Sequence, residues 1–183
     1  MRSSLLAIAV LVLLQGCTSM PGSPGNVSTS KSEFDGSQQV TMEPAWIYSS
    51  PIKLGLYWNT NMPDSTFKLV TIVKGTHSFA SGESLKFNVD GEIAGFKSVD
   101  EMTDYETSRG WSGIGVNIAP SNWSEKSYAV KRRFVGELIE AEEAMVRVVL
   151  EDSRVEGEFS TDAPTTARPA FEKFLSEVEK IDK

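Results

Sequence analysis

A small protein most readily does chemistry with histidine, cysteine, serine and paired carboxylates, and this 183-residue chain offers few promising arrangements of them. Its one histidine, His77, sits in Lys74-Gly75-Thr76-His77-Ser78-Phe79. A general base needs a nucleophile within hydrogen-bond reach and a carboxylate to orient it. The sequence shows no such set around His77, so a surface or structural role is expected. One histidine also excludes the multi-histidine zinc sites of common hydrolases. Gly110-Trp111-Ser112-Gly113 falls one residue short of a nucleophile elbow, because Ile114 stands where the last glycine belongs and no helical pattern follows. Gly113-Ile114-Gly115 fails as a dinucleotide fingerprint, with Ile118 at the third glycine position. Asp100, Glu101, Asp104 and Glu106 gather oxygen donors of the kind calcium takes, but their spacing fits no calcium loop. A charged strand edge that resists sheet-to-sheet pairing is the expected reading. No catalytic residue, metal site or cofactor is therefore expected, and the chain reads as a non-enzyme.

Aromatic residues are the better candidates. Trp111 and Trp123 flank a glycine-rich stretch, with Tyr105 and Tyr128 nearby in sequence. Indoles held on such a loop stack on a sugar ring or fill a partner's pocket. Trp46 and Trp58, which lie in alternating apolar segments, are expected in the core.

The elements that would position these residues are mostly strands. Ile52, Leu54, Leu56 and Trp58 alternate with Lys53, Gly55 and Tyr57, and Phe67 to Val73 is apolar on both faces, as in a central strand. Leu85, Phe87 and Val89 lead into Asp90-Gly91, the strongest hairpin signal in the chain. Val99 to Ser108 reads equally as a strand with a polar face or as a surface loop, and a short strand is expected at Ile114 to Ile118. Tyr128, Val130, Arg132 and Phe134 continue an extended segment before a short helix near 135–143. Met145 to Leu150 reads as a buried strand, paired through Asp152-Ser153 with Val155 to Phe159. Phe171, Phe174, Leu175, Val178 and Ile181 recur at helical spacing, with Thr166 as N-cap and Pro169 in the first turn. The expected fold is α+β: an antiparallel sheet or β-sandwich-like domain of about seven to nine strands, with a C-terminal amphipathic helix.

The amino terminus has a different texture. Arg2 precedes an unbroken apolar run from Leu5 to Leu14. As a helix that run spans about 15 Å, half a hydrocarbon core of about 30 Å, which suits a signal peptide rather than a membrane span. Leu14-Gln15-Gly16-Cys17 closes it, and Cys17 is the only cysteine, so a disulfide or a cysteine-rich zinc site is excluded. The tetrapeptide resembles the lipobox of bacterial lipoproteins. That resemblance covers the first 17 residues and implies cleavage between Gly16 and Cys17, a diacylglycerol thioether on Cys17 and acylation of the new amino terminus. Thr18, not aspartate, follows the cysteine, which in Gram-negative members of the class implies the outer membrane, on its periplasmic face. More than one acyl chain makes such anchoring durable.

The expected organisation is a signal peptide at 1–16, a lipidated Ser/Gly/Pro-rich tether at 17–39 with Phe34 as a loose aromatic, and one globular domain at 40–183. A formal net charge of -7 argues against nucleic acid as a partner, which needs a basic footprint. The bilayer, reached through acylated Cys17, and another envelope protein are the partners expected. A glycan- or peptidoglycan-binding module using Trp111 and Trp123 is the first alternative, and a periplasmic hydrolase the second.

Overall fold

The computed structural model describes residues 24–63, 65–99, 103–108 and 121–182. Gly16, Cys17, Trp111, the glycine motifs at 110–115, the short strand expected at 114–118 and the acidic residues Asp100 and Glu101 lie outside them. Among the described residues ten strands and two helices follow one another. They are β1 (Val27–Lys31), β2 (Gln38–Trp46), β3 (Ile52–Asn59), β4 (Thr66–Lys74), β5 (Glu83–Val89), β6 (Glu92–Lys97), β7 (Asp104–Ser108), β8 (Ser121–Lys131), α1 (Arg132–Glu140), β9 (Ala144–Val149), β10 (Arg154–Glu158) and α2 (Ala167–Ile181). The strands form a six-stranded sheet of order β1-β2-β3-β4-β8-β7 and a four-stranded sheet of order β10-β9-β5-β6. Every pairing is antiparallel. The fold is α+β, as the alternation and the C-terminal periodicity predict.

Local chemistry explains the turns that were legible. Asp90 and Gly91 take φ of 50° and 93°, the left-handed pair a type I′ hairpin requires. β9 and β10 pair across Asp152-Ser153, and Val99 to Ser108 resolves into a strand at Asp104–Ser108. Thr166 stands at the N-cap of α2, but its hydroxyl turns back to the carbonyls of Ser160 and Ala163 instead of capping the helix. β1 falls inside the stretch whose composition reads as tether. It buries only Val27 and is held by backbone pairing to β2, so hydrophobic periodicity gives no sign of it. Phe34, in the turn between β1 and β2, is fully exposed.

The core lies on the inner faces of both sheets. Ile52, Leu54, Leu56 and Trp58 from β3 and Phe67, Leu69 and Val73 from β4 are buried. α2 packs on the six-stranded sheet, where Phe174 meets Phe67 edge-on at 5.2 Å between ring centroids. Its Phe171 meets Phe159 at 5.1 Å. Beneath the four-stranded sheet, Phe134 of α1 packs on Phe87 and Phe96 at 5.3 and 4.8 Å.

A buried polar contact joins the sheets. Tyr128 of β8 is fully buried, and its hydroxyl lies 2.8 Å from Ser84 Oγ at the start of β5. Next to it the Val99 N–H donates to the Ser127 carbonyl at 2.9 Å. Burial pushes the Tyr128 phenol up to about 12, against a smaller opposing effect from Ser84.

Candidate functional site

The outward face of the six-stranded sheet carries the most distinctive side-chain arrangement. Trp46 at the end of β2 and Trp123 near the start of β8 are separated by β3 and β4, roughly 14 Å at ordinary strand spacing. Their ring centroids are nonetheless 5.8 Å apart, so the indoles lean toward one another across the two central strands. Between them stands Lys53 of β3, its Nζ 4.4 Å from the Trp46 ring centroid and 4.5 Å from that of Trp123. An ammonium over two ring faces is held by the negative face of each π-system, at about 0.5–2 kcal/mol per contact depending on desolvation. Partial burial pulls the Lys53 pKa below the ordinary lysine value. The two rings offset part of that desolvation.

Trp46 faces outward, not into the core, because of a β-bulge. Met42 pairs with Leu56 but Ala45 pairs with Leu54, so the register of β2 slips by one residue at Glu43-Pro44. A one-residue slip exchanges the faces of everything beyond it. Ala45 and Ile47 therefore point inward and are buried, and Trp46, which unbroken alternation assigns to the interior, points out. Trp58 precedes no such slip and is core, 7% exposed. The bulge also fixes Gly55 opposite it: a Cβ there would lie 3.1 Å from both the Met42 carbonyl oxygen and Pro44 Cγ. Beside the clamp, one step further along β3 and β4, the face dips into a shallow hollow of about 350 Å³ bounded by Glu43, Pro44, Tyr57, Lys68 and Glu125.

Of the two tryptophans expected at a site, Trp123 is half-buried on this face and Trp111 lies outside the described residues. Tyr128, near them in sequence, is interior. Trp46 and Lys53 were not expected there. The signal for Lys53 was present, since it alternates with buried Ile52 and Leu54, whereas Trp46 was hidden by the bulge.

His77 is spent on a turn. Its backbone N–H donates to Ser124 Oγ at 2.7 Å, and that hydroxyl donates to the Gly75 carbonyl at 2.9 Å. The ring Nε2 lies 3.2 Å from the Lys74 carbonyl oxygen, which makes it the protonated, donating nitrogen. The imidazole sits directly over Gly75, whose φ is 112°, and a Cβ at that glycine would come within 2.4 Å of Nε2. Asp104 is exposed at the start of β7. Among the described residues no group of three or more histidine, cysteine, aspartate or glutamate side chains is placed to hold a metal ion. No helix among them is long and apolar enough to cross a membrane.

Comparison with known protein families, with curated proteins and with solved structures finds no match.

Proposed function

We propose that this chain is a non-enzymatic binding protein of the bacterial cell envelope, held by a lipid on Cys17 at the periplasmic face of the outer membrane. It engages another envelope protein through the outward face of its six-stranded sheet. The observation that carries the binding surface is the Trp46–Lys53–Trp123 clamp. Interfaces draw most of their energy from a few rigid aromatic and cationic side chains, and pre-ordering them lowers the entropy lost on association. Here the ordering is done in advance by the protein's own ammonium. The hollow beside it, walled by Tyr57, Lys68 and Glu125, supplies mixed polar and apolar surface of the sort found around such anchors. The role of His77 in a turn supports a non-catalytic reading.

The glycan reading draws support from the same half-exposed Trp123. It is the weaker of the two, because Lys53 already occupies ring surface on which a sugar would stack. A saccharide would have to displace it.

Two measurements test the proposal. Cys17→Ser should move the protein from the membrane fraction to the soluble one, and an unchanged distribution would refute the anchor. A photo-crosslinking residue at exposed Ala129, on the outward face, should give a discrete adduct in intact cells, while one at exposed Glu172 on α2 should not. Equal labelling from both positions would refute the assignment of the face.

A further inference from the structure

A second surface lies on the other sheet. β6 is the outer strand of the four-stranded sheet, and among the described residues nothing pairs with its far side from Glu92 to Lys97. Natural edge strands are guarded by proline, by bulges or by central charges. β6 has no proline, and its own charges are at its two ends, around Ile93-Ala94-Gly95-Phe96. The irregularity in its pairing lies on β5, between Glu83 and Leu85, and the Glu83 carboxylate rests against Gly95 and adds to the negative charge. Ile93 is 74% exposed.

Between β6 and α1 runs a groove of about 500 Å³. Ala94, Phe134 and Ala141 line it, and Asp90, Glu92, Glu137 and Glu140 stand around it. Exposed Glu142 and Glu143 follow directly after α1. Two cations are close. Arg133 pairs with Glu137 at 2.6 Å, and Arg168 donates from behind to the carbonyls of Ile139 and Ala141 at 2.6 and 2.7 Å. Among the described residues Asp90, Glu92, Glu140, Glu142 and Glu143 have no ion pair. α1 carries no basic residue in its last turn, so Glu137 and Glu140 add negative charge to the negative end of the helix dipole. An unpaired backbone edge, exposed apolar surface and an excess of negative charge thus meet along one strand, although Asp90 Oδ1 accepts the Glu143 N–H at 2.8 Å.

We propose that β6 and this groove receive an extended segment of a partner protein in which lysine or arginine alternates with apolar residues. The segment adds to the free edge of β6 as a fifth strand. Its inward side chains run over Phe134 with their cationic heads at Glu92, Glu137 and Glu140, as long basic side chains do when only the stem is covered. Its outward side chains lie beside Ile93. A second copy of this chain does not fit, because its net charge of -7 would add like charge. A nucleic acid or an anionic lipid surface is repelled for the same reason.

The test uses the full chain in nonionic detergent and a dye-labelled peptide of alternating lysine and leucine, followed by anisotropy and by hydrogen exchange. Saturable binding with slowed exchange across 92–97 is expected. Glu92→Gln with Glu140→Gln should weaken it about tenfold, the sum of two modest ion pairs. Ile93→Ser should weaken it as well. Equal affinity for an alternating lysine-serine peptide would overturn the proposal, as would protection elsewhere in the chain, no binding, or indifference to the carboxylate substitutions. Lys53→Met, which dismantles the aromatic clamp, should leave this binding unchanged. Failure here therefore leaves the clamp proposal standing, and failure of the clamp leaves this one.

Discussion

The two exposed surfaces solve the same electrostatic problem in opposite ways. On the six-stranded sheet a cation leaves full solvation and finds its compensation within the molecule, between Trp46 and Trp123. Along β6 a set of carboxylates gathers at a helix C-terminus with one ion pair among them, Arg133 to Glu137. The first arrangement is closed on itself and presents a pre-ordered surface. The second is incomplete, so removing its members should cost the fold little and a cationic complement much. Substitutions can show how much each surface serves the fold.

The largest expected effect lies on the inner face of the six-stranded sheet, at the far end of β4 from the clamp. Phe174→Ala removes a fully buried ring from the contact of α2 with Phe67 and should destabilise the protein by about 3–5 kcal/mol in chemical denaturation. Phe134→Ala, at a half-buried ring beneath β6, should cost clearly less. Equal losses would mean that the two sheets are supported alike.

Next comes the seam between the sheets. The phenol of Tyr128 is raised in the folded state to about 12 from 10.0, so its stabilising effect is intact below pH 10 and is lost as pH rises toward 12. The loss should reach about 2–3 kcal/mol, and Tyr128→Phe should abolish that part of the pH dependence. A denaturation series between pH 9 and 12 reads both.

The clamp is smaller. Lys53→Met keeps the aliphatic stem and removes the charge together with its residual desolvation penalty, so it should change stability by no more than about 1 kcal/mol while changing tryptophan emission. Because burial lowers the Lys53 pKa, the emission should titrate with a midpoint below the ordinary lysine value of 10.5. A midpoint at or above that value would mean that the two rings offset the whole of the Lys53 desolvation. Ile93→Ser, at the open edge, should change stability by no more than about 0.5 kcal/mol, as surface substitutions do.

Much of the fold was legible because alternation and helical spacing report burial directly. Leu85, Phe87 and Val89 before Asp90-Gly91 specify a hairpin, and Phe171, Phe174 and Val178 specify a helix face. Two features escaped for physical reasons. β1 is held by its backbone, and one buried Val27 makes no pattern. The bulge at Glu43-Pro44 breaks the period of two on which face assignment depends, and with it went the partner of Trp123. The acidic groove was illegible for a third reason. It joins the β5–β6 turn to a helix some fifty residues later, and only the fold brings Asp90 and Glu92 beside Glu137 and Glu140.

The central claim is that the outward face bearing Trp46, Lys53 and Trp123 is where an anchored protein meets its partner. The most direct measurement is the yield of the Ala129 photo-adduct in intact cells, compared between the native chain and Lys53→Met at equal protein level. A severalfold loss of the adduct with Lys53→Met, and no change with Ile93→Ser, is the result predicted. An adduct that survives the loss of Lys53 undiminished would contradict it.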